Sequence, residues 1–305
     1  MEETTLPSSE SVIQQASFKR ALVRFLTRSR MGVVRLAESR MALVGMVIFL
    51  IVVLMAITAP WLATHDPIMG DFLKLNAPPD AENWLGTDNL GRDIWSRIVF
   101  GAQNAMLVAL ITIPAQMVLG IIFGGLPGYY GGKLDNLVMR VNDAWLAFPG
   151  LILFLALIAV FGTGLWQVIL ALTIGWTPSL VRMVRGLVLA EREQDYVKSA
   201  KLIGEHDFRI VFRQIIPNVS SPLIVLATIR TGGTILAFAG LTYLGLGPPP
   251  PEPSWGLMLN EAQDLLETAP LVAIWPGLAI SITVLAVNLM GDGLRDILDP
   301  RLAEK

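Results

Sequence analysis

The chain has 305 residues, 53% of them apolar and only 16% charged, with a mean hydropathy of +0.59. That composition is too oily for a soluble domain of this length and implies several membrane spans. A net charge of -2 excludes an electrostatic footprint for nucleic acid. The absence of cysteine excludes disulfides, thiolate metal sites and thiol catalysis, and His65 and His206 alone could supply imidazole.

Residues 1–17 are polar and rich in Ser and Glu, a composition that predicts disorder. From Phe18 to Arg40, basic residues interleave with Phe18, Leu22, Phe25, Leu26, Val33 and Leu36. This pattern fits an amphipathic helix lying on a membrane surface, or equally a solvated basic tail that only sets topology. Met41–Leu62 carries no charge and, at about 1.5 Å per residue, covers about 33 Å, enough to span a bilayer. It is read as an uncleaved anchor rather than a signal peptide, because forty residues precede it and its apolar run is too long. Further apolar segments follow at Ala105–Leu126, about Leu137–Phe161, Leu165–Val181 with a helical extension beyond, about Val219–Leu246 and about Ala269–Met290. Lipid offers the backbone no hydrogen bonds, so all six must be helices. The predicted fold class is all-α: a polytopic membrane bundle of six transmembrane helices with a patterned loop between spans four and five.

Between spans one and two, Asp88/Arg92 and Asp93/Arg97 stand at i,i+4 spacing. With Ile94, Trp95, Ile98 and Val99 forming an apolar side, they predict a turn followed by a helix resting on the membrane surface. Gly120 and Gly124 let span two approach another helix, within the chain or between subunits. Pro114, Pro149, Pro178, Pro276 and the Gly232–Gly233 pair interrupt spans and are candidate hinges or cavity-lining breaks. Arg230 lies inside span five, where a charge costs about 2.5–3.5 kcal/mol. It either lines a solute path and meets an anion such as a peptide carboxylate, or pairs structurally with Asp143 or a partner's acid. Pro248–Pro253 favours an extended polyproline connector. Trp255–Glu267 is read as a short re-entrant or surface helix. No catalytic constellation is present at an aqueous position, and a non-enzymatic role follows.

Orientation follows from Lys and Arg. Nineteen of the 23 fall on the side of the termini, the loop after span two and the loop after span four; Lys74, Arg92 and Arg97 fall on the other. The positive-inside rule places both termini and the patterned loop in the cytoplasm of a multi-pass plasma (inner) membrane protein, bacterial or archaeal. The chain divides into a tail (1–40), a first span (41–62), an external loop (63–104), a five-helix core (105–295) and a tail (296–305).

The loop at 191–218 reads EREQDYVKSAKLIGEHDFRIVFRQIIPN. Asp195 is a candidate N-cap. Val197, Ala200, Lys201 and Gly204 then fall on one side at helical spacing, and their small size would let a partner approach the backbone. Gly204 suits a C′ position with positive φ. A second short helix, about His206–Gln214, would carry Phe208, Val211, Phe212 and Ile215 and be stopped by Pro217.

This run resembles the EAA loop of ABC-importer membrane subunits, Glu-Ala-Ala-x3-Gly-x9-Ile-x-Leu-Pro. Ala200, Gly204 and Pro217 match in register, while Ser199, Gln214 and Ile216 replace Ala, Ile and Leu, and Lys198 replaces the Glu with opposite charge. Asn83–Met106, Asp143–Leu153, Leu241–Leu259 and Gly291–Leu302 are similar to blocks of the second permease subunit of dipeptide, oligopeptide and nickel importers. Phe238 stands where that family often has Glu. The resemblance implies a homologous permease as partner, two cytoplasmic ABC ATPase subunits that bind ATP and Mg, and an extracytoplasmic solute-binding protein. No cofactor is implied in this chain, and it has no Walker A loop. The implied ATPase-coupling residues are Asp195, Tyr196, Val197, Ser199, Ala200, Ile203, Gly204 and Phe208. Arg230, Phe238 and Asp143 are the candidates for the translocation path of a peptide or similar small polar solute. An ion-coupled carrier working alone, or a membrane docking protein that transports nothing, are the alternatives.

Overall fold

The computed structural model describes residues 40–298, so the predicted N-terminal amphipathic helix and disordered tail, and the last seven residues, lie outside the described part. The described residues form helices and no strand; Thr87 and Asp93 make an isolated β-bridge. In chain order the helices are α1 (Arg40–Ile57), α2 (Ala59–Leu62), α3 (Ile94–Gly120), α4 (Leu126–Tyr130), α5 (Gly132–Leu146), α6 (Gly150–Phe161) and α7 (Leu165–Arg192). They continue with α8 (Asp195–Leu202), α9 (Asp207–Arg209), α10 (Ile216–Asn218), α11 (Ser220–Tyr243), α12 (Trp255–Glu261) and α13 (Leu271–Leu298). Two π-helical segments, Ile121–Gly125 and Ile210–Ile215, join α3 to α4 and α9 to α10.

Among the described residues, five helical stretches are long and apolar enough to cross a membrane: α1, the continuous run Ile94–Tyr130, α7, α11 and α13. A sixth span exists if α5 and α6 count as one, for they are bent by 94° across the break between them. The third span is therefore broken rather than straight. Its break falls at Pro149, which cannot donate a helix hydrogen bond and pushes the preceding Phe148 away from helical angles.

Span two begins earlier than its apolar run suggests. Ile94 opens the same helix that crosses the membrane, so the segment 94–104 is not a separate surface helix. Ile94, Ile98 and Val99 are buried, covered in part by Trp255, whose Nε1 donates to Ile98 O at 2.9 Å. Deeper along this span, Gly120 and Gly124 face α7. A Cβ on Gly124 would lie 2.3 Å from Val181 O, so the small-residue pair serves packing inside this chain.

The end of the bundle formed by the 63–93 loop and α12 is held by buried charge. Arg92 donates to Asp88 and to Glu261, each at 2.7 Å, and Arg97 reaches Glu261 at 3.1 Å and lies 3.4 Å from Asp88. Arg97 also donates to Pro67 O and Pro251 O. The expected Asp93/Arg97 pair does not form. Asp93 instead caps α3, accepting from Ser96 N at 2.8 Å and from Asn83 Nδ2 at 3.0 Å. The proline run turns rather than extending, with Glu252 N–H donating to Pro249 O. Its carbonyls become acceptors for Arg97 and Asn104.

Two hydrophobic cores result. The larger runs through the spans to the cap end, with residues of α1, α3, α6, α7, α11, α12 and α13. The smaller gathers Tyr129 of α4, Leu180, Val184 and Val188 of α7, Val197 and Ala200 of α8, Ile210, Val211 and Ile215 of the second π segment, and Val219 with Leu223 at the start of span five.

Removing Glu261 would leave two buried guanidinium groups to share the one carboxylate of Asp88. Glu261→Ala is expected to destabilise the protein by about 3–5 kcal/mol. The check is a clear drop in the thermal unfolding midpoint of the detergent-solubilised protein, set against Glu252→Ala, which alters an exposed carboxylate.

Candidate functional site

The hairpin between α7 and α11 is built on a glycine turn. α8 starts one residue after Gln194, whose extended backbone fills the N-cap position without a side-chain bond. Asp195 is thus the first helical residue rather than the cap, and its carboxylate complements the positive end of the helix dipole. α8 closes as a Schellman motif: Glu205 N–H donates to Ala200 O at 3.0 Å and Gly204 N–H to Lys201 O at 3.1 Å. Gly204 takes φ +78°, and open space surrounds the position of a Cβ there. Its requirement is backbone conformation, not room.

The second arm departs from α-helical geometry. Ile210 and Ile215 are five residues apart and both fully buried. An α-helix would turn them away from each other, whereas the π segment brings residues at that spacing onto one side. Pro217 does not end the arm; it occupies the first turn of α10, where its missing N–H is tolerated, and the chain runs on into span five.

This geometry sorts the predicted coupling residues. Val197 and Ala200 are buried in the smaller core, so that half of the stripe faces inward, while Lys201 and Gly204 stay exposed. Asp195, Ser199, Gly204 and Tyr196 are exposed. Burial of the Tyr196 ring raises its phenol above the ordinary range; a bond with Asn218 opposes that, and donation to Glu191 at 2.8 Å reinforces it. The tip is apolar: Leu202 is 88% exposed, Ile203 82% and Phe208 64%, with the Phe208 ring against Phe212 at 4.5 Å between centroids and tilted by 37°. Leu202 lies off the inward stripe and was not among the sequence candidates. Its own signal is a leucine on a charged helix at a position that the core stripe does not use.

Tyr129, at the end of span two, joins the hairpin from outside it. Its hydroxyl donates to Asp207 at 2.7 Å, and Lys201 Nζ sits 4.5 Å from its ring centroid. Arg192 at the end of α7 donates to Tyr129 O at 3.1 Å. Spans two and four therefore meet the hairpin at one aromatic residue. No local spacing could reveal this, since Tyr129 and Asp207 are 78 residues apart.

The three path candidates do not form one cluster. Phe238 is 2% exposed and belongs to the larger core, so it lines no open surface of this chain. Asp143 is exposed and paired with Arg182, not Arg230. Arg230 donates from Nη2 to Ser179 Oγ at 2.7 Å and from Nη1 toward Trp176 O at 3.5 Å, with no acid among its partners in the described residues.

Because φ at Gly204 is left-handed, Gly204→Ala is expected to weaken the hairpin turn by about 1–2 kcal/mol. Amide hydrogen exchange across residues 195–205 should accelerate about 5–30-fold while the spans stay protected. Gly204→Asn should be milder, because Asn tolerates this conformation.

Comparison with known proteins agrees with this architecture. The family described as binding-protein-dependent transport system inner membrane component matches residues 116–304. The N-terminal TM domain of oligopeptide transport permease C matches residues 27–79. A Brucella suis biovar 1 protein, named as a candidate peptide transport system permease, is 43% identical over 268 residues, covering 88% of this chain and 90% of its own. The glutathione transport system permease protein GsiD of Pectobacterium atrosepticum is 41% identical over 269 residues, covering 88% and 89%. Among solved structures, the inward-facing MetNI methionine ABC transporter shares the fold with a TM-score of 0.56 at 20% identity, over 67% of this chain and 96% of the other. A solitary ion-driven carrier is not favoured by this kinship. The chain belongs to the binding-protein-dependent transport system inner membrane components, and is a permease subunit of an ABC importer.

Proposed function

We propose that this chain forms half of the translocation path of an ATP-driven importer of peptides or similarly small polar solutes. It pairs with a homologous permease. Its hairpin lies in the cytoplasm and seats in a groove of one of two ABC ATPase subunits, which bind ATP and Mg, while its cap end meets an external solute-binding protein. The distribution of Lys and Arg supports this orientation in a bacterial or archaeal plasma membrane, with both termini inside. The peptide class rests on the names of the relatives.

The observation that carries the reading is the contrast between the two sides of the hairpin. Its inner side is fixed to spans two, four and five through the smaller core. Its tip presents Leu202, Ile203 and Phe208 to the aqueous phase among Lys198, Lys201 and Arg209. A few large apolar side chains, isolated on an otherwise charged projection, are the pattern of a docking anchor. The mechanism is mechanical: closure of the ATPase dimer moves the groove, the hairpin follows, and the attached span ends rock between inward and outward openings. Lys198, in place of the motif Glu, lies exposed 4.0 Å from Glu193 and faces the partner with inverted charge.

Ile203→Asp and Leu202→Asp leave the inner side intact and place charge on the anchor. Each is expected to lower retention of the ATPase subunits during purification at least about tenfold, equivalent to about 1.4 kcal/mol. Undiminished co-purification and uptake in both variants would overturn the docking assignment. Topology can be read directly, since the natural chain has no cysteine. A single Cys at Leu73, 94% exposed, should react with an impermeant thiol reagent from outside, and one at the exposed Gln194 only from inside. Asp88 is unsuitable as a reporter because it is buried in the charge network.

A further inference from the structure

Arg230 lies near the middle of α11 and reaches across to α7. Its anchoring groups are neutral. Ser179 Oγ accepts from Nη2 and itself donates to Trp176 O at 2.8 Å, the carbonyl toward which Nη1 also points. These bonds fix the plane of the guanidinium without neutralising it. A guanidinium carries five N–H donors, and two are used here. The buried Nε is among those with no acceptor. The acid that sequence alone offered as its partner, Asp143, is taken by Arg182.

The position adjoins an open face. Ile229, Gly233, Leu236 and Gly240 are exposed on α11 at spacings of four, three and four, a single helical stripe that the other described residues leave uncovered. Arg230 sits at the edge of that stripe, half-buried. A charge in a span, held in one orientation by neutral groups and with donors to spare, is completed by an anion that the described residues do not supply. The fork of a guanidinium matches a carboxylate, which it can grip through two parallel hydrogen bonds.

We propose that Arg230 binds the carboxylate of the permeating solute during transit, with Ser179 as the positioning residue that aims it. This rests on the import reading above and narrows it to solutes bearing a free carboxylate.

The test uses the full complex, with partner permease, ATPases and binding protein, in proteoliposomes. Uptake is measured for a dipeptide with a free C-terminus and for a C-terminally amidated peptide chosen because the wild-type complex carries it. Arg230→Gln should lower uptake of the free acid at least tenfold and change uptake of the amide less than about twofold, with subunit stoichiometry and basal ATP hydrolysis intact. Arg230→Lys, which keeps the charge without the fork, should recover part of the loss. Ser179→Ala should raise the half-saturating concentration of the acid while maximal ATP hydrolysis is kept. Equal losses for both peptides would overturn the proposal, and with loss of a subunit would mark Arg230 as the counter-ion of an acid on the partner permease. Unchanged uptake of the acid by Arg230→Gln would also overturn it. A wild-type complex that hydrolyses ATP yet carries no peptide would instead remove the import reading on which the proposal rests.

Discussion

The structure depends on the burial of the hairpin's inner side. Val197, Ala200, Ile210, Val211 and Ile215 leave water by packing against Tyr129, against Leu180, Val184 and Val188, and against Val219 and Leu223. Each large aliphatic side chain so buried contributes on the order of 1.5–3 kcal/mol. A hairpin joined only by its two chain ends would swing freely in water and transmit little. One that shares a close-packed core with the ends of three spans must carry them with it, because packed interiors shift between discrete arrangements more readily than they deform.

The opposite end is held differently. There Asp88, Arg92, Arg97 and Glu261 form a buried charge network, with the proline turn and the loop carbonyls as further acceptors. Such a network adds little net stability against an apolar alternative, but its hydrogen bonds are directional and a partial break leaves a charge stranded. It therefore fixes how α12 lies on span two, while the hairpin end relies on apolar packing that has no preferred bond direction. One end is specified by geometry and the other by contact area, so the capped end is held in one bonded arrangement while the packed hairpin end can shift as a unit with its spans.

Much of this was legible in the sequence, and the failures have identifiable physics. Hydropathy located the spans because lipid leaves the backbone no alternative to helix. It could not place the start of span two, since Ile94–Asn104 is amphipathic and becomes buried only when Trp255 and Arg97 find partners more than 150 residues away. Pro149 was visible as a break, but a proline marks where a helix is interrupted and not the angle at which the next one leaves, here 94°. In the hairpin, Gly204 and the α8 arm were readable from local rules. The second arm was misread in one respect by the 3.6 period itself: that spacing selects Phe208, Val211, Phe212 and Ile215 and so misses Ile210, which the chain buries with Val211 and Ile215 while Phe208 stays exposed. Arg230 was legible as a buried charge, but its neutral anchors and the diversion of Asp143 to Arg182 were not.

That misreading exposes the role of the π segment. An α-helix advances about 100° per residue, so residues five apart diverge by about 140°. Widening one turn at Ile210–Ile215 returns them to the same side and changes which face follows. Phe208 is thereby left at the tip, while Ile210 enters the core two residues later. An ordinary α-helix here would have to choose between burying the inner side fully and exposing the aromatic anchor. The widened turn removes that conflict, and it does so immediately before Pro217, where a regular ladder would be interrupted in any case. A second π segment at Ile121–Gly125 lies in span two, and Ile121 packs against the same smaller core. Irregular turns thus occur on both sides of the junction that joins the hairpin to the spans, where a helix must satisfy two neighbours whose faces do not fall in register with its own period.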